Sequence, residues 1–207
     1  MVAPDEVADR VAAVRARIEA AGGAGVRLLA AVKGAPPAVV DAVVRAGVHD
    51  VGGSYARELL ATAAGLETRP TWHFIGRLQT NKVRALGGVV DVWQSVDRPR
   101  LVDELARRVP GARILVQVDV TGDPARGGCD PARVPELVEL ATGSGLVVLG
   151  LMAGPTVVGS GRAPFRALAA LADRLGLAER CMGMSDDLED AVAEGATMVR
   201  VGRAIVG

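Results

Sequence analysis

A single (β/α)8 barrel of the TIM type, spanning residues 1–207, is the fold this sequence predicts, and three observations carry it. Short apolar runs alternate with amphipathic helical stretches about eight times along the chain. No long linker or low-complexity segment interrupts them. No Gly-x-Gly-x-x-Gly follows the first strand, which weakens the competing doubly wound open sheet. At 207 residues, half of them hydrophobic and few aromatic, the chain suits one domain with a core of Ala, Val and Leu.

Taken in order, Pro4 to Ala21 places Val7, Val11, Val14 and Ile18 at helical spacing and stops at Gly22-Gly23. Leu28 to Gly34 (LLAAVKG) reads as a buried strand, with Leu29, Ala31 and Lys33 on its inward face. Pro36-Pro37 opens a helix over 38–46, closed by Gly47, and Val48 to Val51 is a short strand. Gly52-Gly53-Ser54 leads into a helix with Ser54 as the expected N-cap. Trp72 to Ile75 is strand, Gln79 to Leu86 helix, Val89 to Trp93 strand, Pro99 to Arg108 helix and Arg113 to Val120 strand. The second half repeats the rhythm: helix 131–141, strand 146–152, helix 164–175, strand 181–184, helix 186–194 and strand 197–201. AVVRAGVHDVG from Ala42 and AVAEGATMVRVG from Ala191 share a helix, glycine, strand, glycine order, which common helix-stop and strand chemistry explains.

Composition limits the function classes. Lysine plus arginine equals aspartate plus glutamate at 24 each, so no net field recruits nucleic acid or an anionic membrane, and any anion site must be local. Cys129 and Cys181 lie in no CxxC pattern, so neither a metal site nor a disulfide framework is indicated. The amino terminus has no apolar core of signal-peptide length, and no run approaches a membrane span. A soluble, cytoplasmic protein is expected.

Lys33 is the first chemical candidate. An ammonium at the end of an apolar strand must be desolvated or paired, and desolvation favours the nucleophilic free amine of a Schiff-base lysine. The plainer alternative is a lysine that ends its strand and snorkels into solvent. In a barrel the working groups come from the carboxyl ends of strands, often with a phosphate site after strands seven and eight. Ser185, in MGMSDDLE, and Gly202 with Arg203, in VRVGRAIVG, stand at those two hand-overs. Backbone amides, a hydroxyl and a glycine that permits close approach suit a phosphate dianion. An ordinary N-cap and an ordinary turn are the competing explanations.

The motifs LLAAVKG, WHFIGRLQTNK (72–82), SVD (95–97), VQVDVTGDPARGG (116–128), GLM (150–152), MGMSDDLE and VRVGRAIVG occur in one order over nearly the whole chain. In them the chain resembles the pyridoxal phosphate homeostasis family, single-domain barrels similar to the amino-terminal domain of alanine racemase. The resemblance implies that Lys33 forms the internal aldimine with pyridoxal 5′-phosphate and that Ser185 holds the phosphate, with backbone amides near Gly202 and Arg203. It implies that Arg200, inward by alternation from Met198, faces the pyridine nitrogen and disfavours its protonation. Asn81 and Met152 complete the implied cofactor set. His73 resembles a position near the cofactor, although a histidine on an apolar strand is more often a satisfied core residue. Arg77 and Lys82 read as solvated charges.

The departures are equally specific. VGGS (51–54) stands where many members read FGEN, Arg203 replaces a phosphate-binding threonine, and the loop AGPTVVGSGRA after Met152 is shorter. Arg203 is therefore expected either to pair with the phosphate or to protrude. Three functions follow. One is a carrier exchanging the cofactor with amino acids or other amines, expected to be a monomer without robust catalysis. The second is a weak amino-acid racemase, and the third a barrel that has lost the cofactor and serves as an interaction module. Racemisation needs a second proton-transfer group on the opposite face, which alanine racemases take from a tyrosine on a separate domain. The chain ends at Gly207, and its only tyrosine, Tyr55, is expected to pack at a helix start, so the carrier is favoured.

Overall fold

The computed structural model describes residues 2–123, 127–154, 156 and 161–207. Eight parallel strands close into a barrel in sequence order. They are β1 (Arg27–Ala31), β2 (Asp50–Gly53), β3 (Thr71–Phe74), β4 (Val92–Val96), β5 (Arg113–Val118), β6 (Val147–Ala153), β7 (Glu179–Cys181) and β8 (Met198–Val201). β1 pairs with β2 on one side and with β8 on the other, which rules out the open sheet. Around the barrel run α1 (Val7–Ala20), α2 (Pro37–Arg45), α3 (Ala56–Ala64), α4 (Thr80–Leu86), α5 (Pro99–Arg108), α6 (Val134–Gly143), α7 (Ala163–Arg174), α8 (Leu188–Ala193) and a terminal turn, α9 (Arg203–Val206).

The helical spacing of α1 does what its pattern requires, since Val7, Val11, Val14 and Ile18 are all buried. Hydrophobic packing falls into two compartments. A large cluster fills the space between helices and strands, and a small one, built on Leu29, Leu115, Met152, Cys181 and Met198, lies inside the barrel. The two similar segments from Ala42 and Ala191 end their helices at Gly47 and Gly195, whose φ of +84° and +86° only glycine adopts readily.

Several boundaries differ from those expected, each for a local reason. β1 ends at Ala31 rather than running to Gly34: Val32 makes the last bond across to the Gly52 carbonyl, and Gly34, with φ +69°, turns the chain over the rim. β2 lies two residues later than expected, taking in Gly52 and Gly53. A Cβ on Gly52 would lie 2.7 Å from Leu29 Cδ2, and one on Gly53 would lie 2.7 Å from Leu59 Cδ1, so both belong to packed sheet. Tyr55 rather than Ser54 is therefore the N-cap of α3, and no side chain caps it. β4 begins at Val92 rather than Val89, because the amides of Val89 and Val90 both donate to Leu86 at the exit of α4. β7 is displaced to 179–181 and is only three residues long.

Candidate functional site

The carboxyl ends of the strands surround a cavity of about 900 Å3. Lys33 after β1, Ser54 after β2, Arg77 after β3, Asp97 after β4 and Gln117 on β5 line one side. Met152 on β6, Ser185 after β7, and Arg200, Gly202 and Arg203 around the end of β8 line the other. Six of the seven candidate residues, Lys33, Met152, Ser185, Arg200, Gly202 and Arg203, thus meet in one place. Asn81 does not join them: it is exposed on α4, whose buried face is Val83 and Leu86.

Lys33 sits in the turn beyond β1, and its side chain is exposed at the mouth rather than buried at a strand end. Its Nζ lies 5.3 Å from the centroid of the Tyr55 ring, within cation–π range. Tyr55 is itself 51% exposed, so it starts the helix without packing into the core.

Arg200 is buried at 6% exposure. Its Nη1 donates to the carbonyl of Cys181 at 2.9 Å and to Cys181 Sγ at 3.2 Å, while Nη2 donates to the carbonyl of Ala153 at 2.6 Å. These acceptors are neutral, and among the described residues no carboxylate pairs with this guanidinium. A buried cation so placed favours an electron-rich group above it in the cavity.

The loop after β7 is held from three directions. The Met184 amide donates to Asp187 Oδ1 at 2.6 Å, the Asp187 carboxylate accepts from Thr156 Oγ1 at 2.6 Å, and Arg17 of α1 donates to the Ser185 carbonyl at 2.9 Å. Arg17 also grips Glu189 through two nitrogens, at 2.7 and 3.0 Å, and this contact holds the Glu189 carboxyl below its ordinary range. Gly183, with φ +92°, has room only for hydrogen, since a Cβ would come within 2.5 Å of Ala191 Cβ. A Cβ on Gly202 would stand 3.0 Å from the Ala31 carbonyl oxygen. The Ser185 hydroxyl has no hydrogen-bond partner among the described residues and lines the cavity.

The Arg203 guanidinium is engaged by Asp186 at the exposed rim. Gly53 and Ser54, where the family's carboxylate and amide were missing, respectively pack under Leu59 and line the cavity. The loop after Met152 falls partly outside the described residues, at 155 and 157–160; Gly154 and Thr156 reach the cavity.

His73 is a satisfied core residue, 2% exposed, between Asp50 Oδ1 at 2.8 Å and Gln94 Nε2 at 2.9 Å. Asp97 and Gln117 are cavity residues that sequence reasoning passed over, and Arg77, read there as a solvated charge, is exposed and lines the same cavity. Their common signal was position at or just beyond a strand's carboxyl end, and SVD contained the first of them. Among the described residues no cluster of His, Cys, Asp or Glu could hold a metal, and none of their helices is long and apolar enough to cross a membrane.

Comparison with known proteins adds four findings. The family model described as the alanine racemase N-terminal domain matches residues 2–207. The pyridoxal phosphate homeostasis proteins of Pseudomonas aeruginosa and Aquifex aeolicus are 39% and 38% identical; the alignments cover 97% and 87% of this chain, and 95% and 86% of theirs. The structure of PipY from Synechococcus elongatus with PLP bound superposes with a TM-score of 0.83 at 30% identity, over 97% of this chain and 100% of that one. The lysine decarboxylase of Selenomonas ruminantium, at 17% identity and a TM-score of 0.72 over 98% of this chain and 61% of that one, shares the fold.

Proposed function

The chain belongs to the pyridoxal phosphate homeostasis protein family, built on the alanine racemase N-terminal barrel, and from that premise we propose that it binds pyridoxal 5′-phosphate and serves in intracellular cofactor and amino-acid homeostasis. One observation carries the reading. Lys33, Ser185, Arg200 and Gly202, at or just beyond the carboxyl ends of the first strand and the last two, line the same cavity. The residues fit the group: an accessible amine for its aldehyde, a buried cation with only neutral partners among the described residues for its ring, and a hydroxyl with no partner among those residues, beside close-packed glycine backbone, for its phosphate.

When bound, the cofactor supplies an aldehyde carbon that a lysine amine can hold and an incoming amine can take over. Lys33 Nζ provides the covalent hold. Ser185 donates its hydroxyl to the phosphate, and Gly202 lets backbone amides approach it. Arg200 presents a permanent positive charge to the ring nitrogen and keeps a proton off it. That arrangement favours holding and exchanging the cofactor over carbanion chemistry, so racemisation is expected to be absent or slow. Amino acids or other amines are the exchange partners in this reading, a monomer is the working unit, and the cytoplasm its setting.

The test is spectroscopic. Protein incubated with pyridoxal 5′-phosphate should gain a violet to near-ultraviolet band, and reduction should fix the cofactor mass on Lys33. Lys33→Ala should abolish the band, whereas Lys82→Ala, on the exposed face of α4, should leave it intact. Protein that stays colourless would leave only the interaction module, and attachment at Lys82 would move the site.

A further inference from the structure

A file of polar side chains crosses the barrel interior from one end to the other. Arg200 Nη1 donates to Cys181 Sγ at 3.2 Å, and the Cys181 thiol donates to Gln94 Oε1, also at 3.2 Å. The Gln94 amide nitrogen lies 2.9 Å from His73 Nδ1 and 3.4 Å from Met198 Sδ. An amide nitrogen cannot accept, so His73 Nδ1 is the acceptor and the imidazole hydrogen sits on Nε2, which donates to Asp50 Oδ1 at 2.8 Å. Every donor therefore points the same way, from a buried cation under the cavity to a carboxylate at the opposite end of the barrel. Bonds arranged in one sense polarise one another.

The charge states agree with that sense. Burial pushes the Cys181 thiol above its ordinary value despite the opposing Arg200, so the sulfur keeps the hydrogen that Gln94 receives. Burial opposes ionisation of Asp50, but the hydrogen bond from His73, with the charges of Arg27 and Arg113, prevails and lowers its pKa. His73, Gln94 and Cys181 are all 2% exposed or less, so water has no access to replace a missing member.

We propose that Cys181, Gln94 and His73 are positioning residues that hold the Arg200 guanidinium in the cavity floor, with Asp50 as its remote counter-charge. The effect on cofactor rests on the reading that Arg200 faces the ring nitrogen; the effect on Arg200 itself does not. Without the file, the guanidinium keeps two carbonyl acceptors but loses the contact that fixes its rotation and its distance from the ring.

Two measurements on Cys181→Ala, Cys181→Ser and Gln94→Leu test this. In the cofactor-free protein, resolved NMR signals of the Arg200 Nη hydrogens report restricted rotation. In the loaded protein, the ratio of the two absorbance bands of the bound cofactor reports its protonation. Cys181→Ala and Gln94→Leu should collapse the resolved signals and change the band ratio about two- to tenfold, the worth of one net hydrogen bond. Cys181→Ser, which still donates and accepts, should restore both. Unchanged signals and an unchanged ratio in a folded Cys181→Ala or Gln94→Leu protein would overturn the proposal. Wild-type protein that takes up no cofactor would instead sink the preceding reading, and the free-protein signals would still decide this one.

Discussion

Replacing Ser185 by alanine separates ligand binding from folding at this site. The hydroxyl has no partner among the described residues, while the loop's shape is fixed by the Arg17 bond to the Ser185 carbonyl and by Asp187 on the Met184 amide. Removing it should therefore change the unfolding free energy of the cofactor-free protein by no more than about 0.5 kcal/mol. A hydroxyl donating to a phosphate dianion is a charge-assisted bond, so its loss should weaken pyridoxal 5′-phosphate by about 1.5 to 3 kcal/mol, or roughly 10- to 150-fold. Pyridoxal, which has no phosphate, should bind wild type and variant alike. The assay is a spectrophotometric titration of both proteins with both ligands, beside thermal melts without ligand. Equal losses for the two ligands, or a melt lowered by several degrees without either, would show that Ser185 shapes the loop instead, and the phosphate assignment would fall.

Three further outcomes follow from particular contacts. Arg203→Thr breaks only an exposed pair with Asp186, so cofactor titration should show retained affinity, within about 1 kcal/mol; complete loss would mean the arginine leaves Asp186 for the phosphate. Asp41 is 3% exposed and accepts from the Glu67 amide, the Thr68 amide and the Thr68 hydroxyl, at 3.2, 2.9 and 2.6 Å. Burial would raise its pKa, but the Thr68 and Glu67 bonds outweigh it and the folded value is lowered, so its contribution is complete above the unfolded value of about 4 and disappears as pH falls through the folded one. Asp41→Asn should cost about 1 to 2 kcal/mol in denaturant melts at neutral pH and flatten the acid limb of stability against pH; an unchanged limb would remove Asp41 from that role. Gly150→Ala would drive a Cβ into the Glu179 carbonyl oxygen, on the strand that pairs with β6. Destabilisation of about 3 kcal/mol or more is expected in the same melts, and a neutral result would show that β7 can shift sideways.

The barrel was legible because each unit announces itself locally. The alternating four- and three-residue spacing of α1 and the proline-led starts of α2 and α5 need no tertiary information. Strand limits were less legible where apolar residues serve two elements in turn. Val89 and Val90 look like strand but finish α4, and Asp91, which breaks their run, takes the Trp72 amide at 2.8 Å and so marks the true start of β4. At the site, Lys33, Ser185, Arg200 and Gly202 could be read from motifs at strand ends. Asn81 lies in an equally specific motif, but the phase of α4 turns it to solvent. Gln94 and Cys181 carried no local signal, because what gives them significance is the closure that brings β4 and β7 face to face across the barrel.

The separation of the two hydrophobic compartments has a consequence for how such a protein can diversify. The sheet insulates Leu29, Leu115, Met152, Cys181 and Met198 from the far larger set that seats the helices, with no side chain common to both among the described residues. Free-energy changes at sites without shared partners add rather than compound. The floor beneath the cavity can thus drift in size and polarity while the outer wall continues to supply the cohesion of the domain. A lineage built this way is free to retune what it holds at the mouth without renegotiating how it stands up.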